Sequence, residues 1–448
     1  MAAFLLPLQT ETNRNIDNMK KIYIAVCIAM MSITTFAQSG TNSPYSQYGW
    51  GLHSDQTSGF NRGMNGVGIA FQENNQVNYT NPASYAYIDS LTFIFDAGVS
   101  LQIAQFKENN QKLNAKNANF EYAVAAFRLM PRFGVSFGIL PLTNVGYNYS
   151  TTQNVSPEGY TTFTNTYTGS GGLHQIYLGA GFEIVKGIAI GANVAYVWGG
   201  YNRSIVNTYS DVYVNTLSKY YTTDVNTYKV DFALQLARQI NKNNRIALGV
   251  TYSLGHKFSA EPECRVISTN TQTAVSDTTL YKIDDKLQMP HTFGVGLMWN
   301  HKRQLKIGVD YTLQKYADTP FPQYIANNNQ AQYVLTKQYF LDRHKVNIGT
   351  EFSPGGNSRG FFRRIKYRAG ASYATPYYKF NQQDGPKEIS ISAGVGIPII
   401  NSYNNRSVLN ISAQYVQSQA KGALKDNTIK INIGLTFNEK WFQKWKFE

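Results

Sequence analysis

Ile429-Lys-Ile-Asn-Ile-Gly-Leu-Thr-Phe437, close to the C-terminus, decides the fold. Ile429, Ile431, Ile433, Leu435 and Phe437 alternate with Lys430, Asn432, Gly434 and Thr436, a period of two that gives a β-strand one apolar and one polar face. The same beat returns upstream. Leu305, Ile307, Val309, Tyr311 and Leu313 alternate with Lys306, Gly308, Asp310 and Thr312, and Ile389 to Ile397 alternate with Ser390, Ser392, Gly394 and Gly396. Ile188 to Trp198, Tyr228 to Leu236, Ile246 to Leu254 and Ile365 to Tyr373 behave alike. About fourteen such runs follow one another, starting near Leu91, Asn119, Arg132, Leu173, Gly187, Tyr228, Arg245, Thr292, Gln304, Lys345, Arg364, Glu388, Val408 and Thr428.

The polar face of these runs is unlike a solvated one. It mixes Gly, Ser, Asn and Thr with scattered charges of both signs, such as Asp96, Glu183, Asp231, Lys366 and Arg368. A soluble sandwich hides its apolar faces between two sheets, whereas a membrane barrel turns them to lipid and lines its lumen with small polar residues. Connections alternate too: Met130-Pro131, Lys186-Gly187, 241–244 and 301–303 are tight, and 151–171, 203–227, 258–288 and 315–344 are long and polar. Short periplasmic turns opposite long outer loops fit a barrel.

Composition agrees. The 448 residues are 43% hydrophobic, 14% aromatic and only 15% charged, with 32 Tyr and 36 Gly. This is too polar for a bundle of membrane helices and too aromatic for a disordered chain. Near the N-terminus, Lys20 and Lys21 precede an apolar run from Ile22 to Thr34 and the small-residue site Thr35-Phe36-Ala37. This reads as a secretory leader, 1–37, with residues 1–18 an over-long start and Gln38 the mature N-terminus. The run is too short to span a bilayer, and Cys27 within it is not placed as a lipoprotein cysteine. Cys264 is then the only cysteine left, so neither an intramolecular disulfide nor a cysteine metal site is available. The net charge of +14 comes without a nucleic-acid motif and points to anionic lipid headgroups and lipopolysaccharide rather than nucleic acid.

The residues before the first strand, 38–89, include the compact apolar stretch Val67 to Phe71 and the turn former Asn81-Pro82, and are expected to form a plug inside the lumen. The predicted architecture is therefore all-β: a transmembrane antiparallel β-barrel of about 14 strands over 90–438, an N-terminal plug, and a periplasmic basic-aromatic tail over 439–448. The predicted location is the outer membrane of a Gram-negative cell.

Gly63, Gly66, Gly68 and Ala70, followed after a short gap by Asn81-Pro82-Ala83, resemble the N-terminal hatch of the FadL family of outer-membrane transporters for long-chain fatty acids and aromatic hydrocarbons. The resemblance implies a fourteen-strand barrel with a hatch, and passive uptake of hydrophobic small molecules through a kink in the third strand that opens the wall sideways. The third run, Arg132 to Tyr147, carries Pro141 in its middle; proline cannot donate to a ladder and glycine weakens it, so Gly138, Pro141 and Gly146 mark where a closed sheet would part. The alternative is a strand that ends at Leu140 and continues as loop. Any such gap is expected to be backed by Asn81 to Ala83.

No catalytic constellation is present. The six histidines are scattered, and His174 or His291 could be nominated for an interfacial hydrolase only as isolated residues. The expectation is a non-enzyme without cofactor or metal. The competing function is a non-transporting barrel subunit or shuttle of an outer-membrane secretion or assembly complex, with the long loops and the tail as docking surfaces.

Overall fold

Alternation becomes a closed ring of strands in the computed structural model, which describes residues 40–439 apart from 109–110, 156–160, 328–329, 356–359, 381 and 400–406. The leader expected over 1–37 and residues 440–448 of the tail lie outside the described residues. Fifteen segments build the wall: β1 Phe93–Glu108, β2 Gln111–Met130, β3 Phe133–Pro141, β4 Thr143–Asn154, β5 Thr162–Val185, β6 Ile188–Tyr209, β7 Thr216–Asn241, β8 Asn244–Ser253, β9 His291–His301, β10 Leu305–Lys315, β11 Arg343–Phe352, β12 Lys366–Ala374, β13 Lys387–Ile399, β14 Ser407–Gln419 and β15 Lys425–Glu439. β3 and β4 both pair with β5 and are two halves of one wall strand, so the ring has 14 antiparallel strands. It closes where β1 pairs with β15 from Phe93↔Glu439 to Lys107↔Lys425.

Each expected run falls in one wall strand, and the two faces divide as the alternation requires. Val99, Leu101 and Ile103 on β1 and Ile429, Ile431 and Ile433 on β15 are exposed on the outer face, whereas Asp96, Ser100, Asn432 and Thr436 are buried inside. Tight turns at one end use left-handed backbone at Arg132 (φ 66°) and Lys302 (φ 52°). At the other end the structure corrects the expected loops. Much of 151–171 and 203–227 is strand, because β5, β6 and β7 run on for 22 to 26 residues, well past the 9–11 that cross a bilayer. Glu263–Thr269 and Ser276–Lys282 form a hairpin that pairs with the top of β7, and Phe321–Asn327 pairs with Gln330–Thr336. Those strands carry Thr, Tyr and Ser on both faces, so they have β propensity without the apolar stripe that marks a membrane strand.

Residues 40–92 lie inside the ring. They are largely irregular, with 3-10 turns at Pro44–Gln47 and Pro82–Tyr87 and a single helical turn at Gly59–Arg62. Phe60, Met64, Val67, Ala70 and Phe71 form a fully buried cluster with Ala247 of β8 and Met298 of β9. The approach to the wall is main-chain close because the facing wall positions are glycines. A Cβ on Gly181 would stand 2.5 Å from the Pro82 carbonyl, one on Gly308 2.7 Å from Val67, one on Gly349 2.7 Å from Met64, and one on Gly394 3.1 Å from the Gly63 Cα. Glycine in a strand interior is costly and is kept where another backbone comes this near.

Gly349→Leu should therefore force Met64 and Val67 away from the wall and lower stability by about 1–3 kcal/mol. The measurement is the temperature at which the fast-migrating folded band is lost on gels. Ile348→Leu, on the outer face one residue away, should leave that temperature unchanged.

Candidate functional site

The wall is not paired all the way up. β2 pairs with β3 only from Met130↔Phe133 to Ala123↔Ile139. Above that level, among the described residues, β2 (111–122) has ladder partners only in β1, while β4 pairs with β5 and, at two residues, with the segment inside the ring. Both parting strands are bulged there. In β2 the register with β1 shifts between Gly98 and Val99, so Glu121 and Tyr122 are both turned inward. In the third strand, Pro141 faces His174 but Val145 faces Gly171, four residues against three. Such a bulge bends the strand and exchanges its faces: Ser136 and Leu140 are buried before it, Val145 and Tyr147 after it.

Of the residues expected to mark an opening, Gly138 makes the last β2 pair but one, opposite Val124; Pro141 ends β3; Gly146 lies beyond the bulge, opposite Ser170. The strand continues as β4 rather than ending as loop at Leu140.

The parted edges are covered by Gly40 to Gln56. Leu52 and His53 pair with Asn144 and Thr143. The Ser46 hydroxyl accepts from the Gly146 N–H at 3.0 Å and donates to its carbonyl at 3.1 Å. Ser54 N–H donates to the Leu142 carbonyl at 2.9 Å, and the Gln56 amide to that of Pro141 at 2.6 Å. On the other edge, the Asn42 amide donates to the Lys116 carbonyl at 3.3 Å, and the Asn119 amide to the Gly40 carbonyl at 2.5 Å. Asn81 to Ala83, expected at this place, sit elsewhere, against Gly181 of β5 and Gly191 of β6.

The quoted hatch residues do come together. Asn81 caps the Pro82–Tyr87 turn by accepting from Ala83 N–H at 3.0 Å and donates to the Ile69 carbonyl at 2.7 Å. Gly68 and Ile69 N–H donate to one oxygen of Asp310 at 2.7 and 2.9 Å, and Gln235 donates to the Ile69 and Phe71 carbonyls at 3.1 and 3.2 Å. Gly66 takes a left-handed turn (φ 90°), Gly63 lies on Gly394, and Ala70 is in the buried cluster. Asp310 and Gln235 were not singled out from sequence, where they read as ordinary lumen polarity.

Two buried ionic networks fasten the segment further. Arg62 pairs with Glu121 at 3.0 Å and donates to Asn432 and to the Thr57 and Asp55 carbonyls. Glu73 pairs with Lys306 and, at 3.5 Å, with Lys366; both lysines also meet Glu351, which Arg368 holds at 2.7 Å. Burial alone would raise the Glu73 carboxyl, but Lys306 and Lys366 outweigh it and hold it below the ordinary glutamate range. Asp55 is likewise held low against burial by Lys430, Lys345 and Arg62.

Around this segment lie two hollows and a cap. A lumen cavity of about 280 Å³ lies between it and the wall, lined by Trp50, His53, Leu173, Tyr177, Asp310 and Arg343 among others. An apolar hollow of about 530 Å³ is lined by Gly138, with Phe93, Phe137, Ile139, Ile176 and Leu178 from the outer face and Val124 and Tyr177 from the inner-facing positions. Tyr177 lines both. Towards the outer loops, Trp50 packs on Phe258, Phe321 and Tyr201 in a buried cluster that includes Phe340, Tyr377 and Tyr378.

A closed 14-strand ring with an inner N-terminal segment and a parted third strand is the fold of FadL-type outer-membrane channels. Solved structures of that fold superpose on it: a Pseudomonas aeruginosa FadL homologue (TM-score 0.60, 11% identity, 87% of this chain and 99% of that one), the Ralstonia pickettii toluene transporter TbuX (0.56, 15%, 85% and 98%) and the CymD monoaromatic hydrocarbon channel (0.55, 14%, 86% and 98%). No curated protein matches the chain. Within this class the chain belongs to the BamG family, whose model matches residues 19–448.

The Glu73 network generates a pH prediction. Its stabilisation is complete above the pH at which an unfolded glutamate protonates and is lost as pH falls through the lower folded-state value. Glu73→Gln should cost about 3–5 kcal/mol at neutral pH, because it leaves buried lysine charge uncompensated. Denaturant unfolding at successive pH values should then show a smaller loss of stability on acidification in the variant than in the native chain.

Proposed function

We propose that the protein is a passive, non-enzymatic outer-membrane conduit for hydrophobic small molecules such as long-chain fatty acids, with residues 38–89 acting as its plug and the parted wall at Gly138, Pro141 and Gly146 as its lateral exit. The observation that carries this reading is Tyr177, a lining residue of both the lumen cavity and the apolar hollow on the lipid face. A solute passing there would move from cavity to hydrocarbon past Tyr177, whose hydroxyl makes a 2.9 Å contact with that of Ser136. The hydrocarbon channels that share the fold support the class of solute. Surrounding lipid and lipopolysaccharide would complete the exit.

In liposomes containing the reconstituted barrel, Tyr177→Ala should speed entry of a hydrophobic fluorescent probe severalfold. Pro141→Val should slow it by restoring strand propensity at the kink. Rates unchanged by both substitutions would overturn the reading.

A second reading is favoured by the aromatic cluster around Trp50, which packs the outer end of the lumen, and by the extended outer hairpins. In it the barrel is a non-transporting subunit of an outer-membrane secretion or assembly complex. Mild detergent extraction separates the two: a stoichiometric complex with a larger protein supports the second, and a lone monomer the first.

A further inference from the structure

Charge is arranged differently at the two ends of the barrel. At the tight-turn end, the connections between wall strands span 131–132, 186–187, 242–243, 302–304 and 353–365. Among their described residues are Arg132, Lys186, Lys242, Lys302, Arg303 and Arg363, all exposed, and no Asp or Glu. None of these six cations has a carboxylate within ion-pairing distance among the described residues. Glu183, close by in sequence, already accepts from Gly187 N–H at 2.8 Å. The long connections at the other end mix both signs: Lys282 pairs with Glu263 at 2.5 Å, Lys315 pairs with Asp342, and Asp284 and Asp285 precede Lys286.

Four of these turns also set an exposed apolar side chain next to the cation. Met130 precedes Arg132, Val185 precedes Lys186, Ile240 precedes Lys242, and Phe361 and Phe362 precede Arg363, each of the five more than half exposed. The Phe361–Arg364 turn continues the lipid-facing surface of the wall. Phe352 and Tyr367 pair across β11 and β12 at that rim and are exposed on the outer face, and the Tyr367 hydroxyl donates to the Phe362 carbonyl at 3.2 Å. At a membrane interface such a pairing seats the apolar group among acyl chains and lets the cation reach the phosphates. The pattern recurs round the ring, from the β2–β3 turn to the β11–β12 turn, as suits a partner that surrounds the barrel. A protein partner would meet one side of it.

We propose that the tight-turn end is a collar for anionic phospholipids such as phosphatidylglycerol, their phosphates held by the turn cations and their acyl chains packed on the neighbouring apolar side chains. Short turns of such barrels face the periplasm, so the collar belongs to the periplasmic leaflet, on the side away from lipopolysaccharide. A negatively charged leaflet attracts each cation near its surface, and the attraction fades within a Debye length. The collar holds for a conduit and for a complex subunit alike, so it does not rest on the function proposed above.

The test uses the full chain folded in an uncharged detergent and given equal amounts of phosphatidylglycerol and phosphatidylcholine with the same acyl chains. Native mass spectrometry counts the lipids retained. The native chain should keep phosphatidylglycerol over phosphatidylcholine by about fivefold, a preference that falls towards parity as salt rises to about 0.5 M. Replacing Arg132, Lys186, Lys242, Lys302, Arg303 and Arg363 together by Gln should abolish the preference. Replacing Arg265, Lys282 and Lys286 of the outer connections by Gln should leave it intact. Phe361→Ser with Phe362→Ser, which keeps every charge, should reduce the total lipid retained without changing the ratio. Should the six-fold variant not reach the folded band on gels, the salt titration of the native chain decides alone. No preference in the native chain, as expected if the collar meets an acidic protein instead, would overturn the proposal; so would a preference indifferent to salt, one that survives in the six-fold variant, or one lost in the outer variant.

Discussion

Everything inside the ring depends on main chain meeting main chain. The segment 40–92 has little regular structure of its own, so most of its backbone N–H and C=O groups find partners outside a helix or sheet. The wall supplies them in two ways: glycines let it come near enough, and a few side chains, Asp310 and Gln235 foremost, reach the groups that result. Removing a hydrogen-bonding side chain here would orphan a buried backbone group, at a larger cost than the net worth of the bond. The ionic networks at Arg62 and Glu73 then fix the position of a segment whose shape is already set.

The parted wall follows from the same constraint. In hydrocarbon, a strand edge without a partner is intolerable unless protein or water covers it. Two bulges turn β2 and the third strand away from each other, and Gly40 to Gln56 fills the space with short polar side chains that imitate a ladder. Ser46 is the clearest case, because one hydroxyl serves both the N–H and the carbonyl of Gly146. The wall is thus bridged there by side-chain hydrogen bonds in place of a strand-to-strand ladder, and such an interruption is easier to undo than a ladder.

Much of this was legible in the sequence and some was not. Alternation located the strands and their faces because a single period covers both membrane crossing and burial, as at Ile429 to Phe437. The outer extensions read as loops because Thr216 to Thr227 and their neighbours have polar residues on both faces, so period two leaves no trace. The sequence points to Asn81 to Ala83 as partners of the parted edges, whereas the structure puts Gly40 to Gln56 there. Gly40 to Trp50 carries Ser, Asn, Gly and Tyr in no periodic order, and its role depends on contacts 74 to 100 residues away. A usable signal was present in Gly308, Gly349, Gly370 and Gly394, lumen-facing glycines at similar places in successive strands, which announce a close neighbour within.

Those distant contacts also bear on the order of events when the chain folds. Arg62 meets Asn432 across 370 residues of sequence, Ser43 meets Asp426 across 383, and Asn65 meets Gln414 across 349. The N-terminal segment emerges first and waits longest for these three partners, which are on β14 and β15, the last strands to arrive. Completing these contacts and closing the ring at the β1–β15 seam both require the last strands, with the loop-closure entropy of nearly the whole chain to overcome. Until then a half-built sheet presents both its first and its last edge, a period in which the nascent barrel relies on its surroundings to keep those edges from other chains.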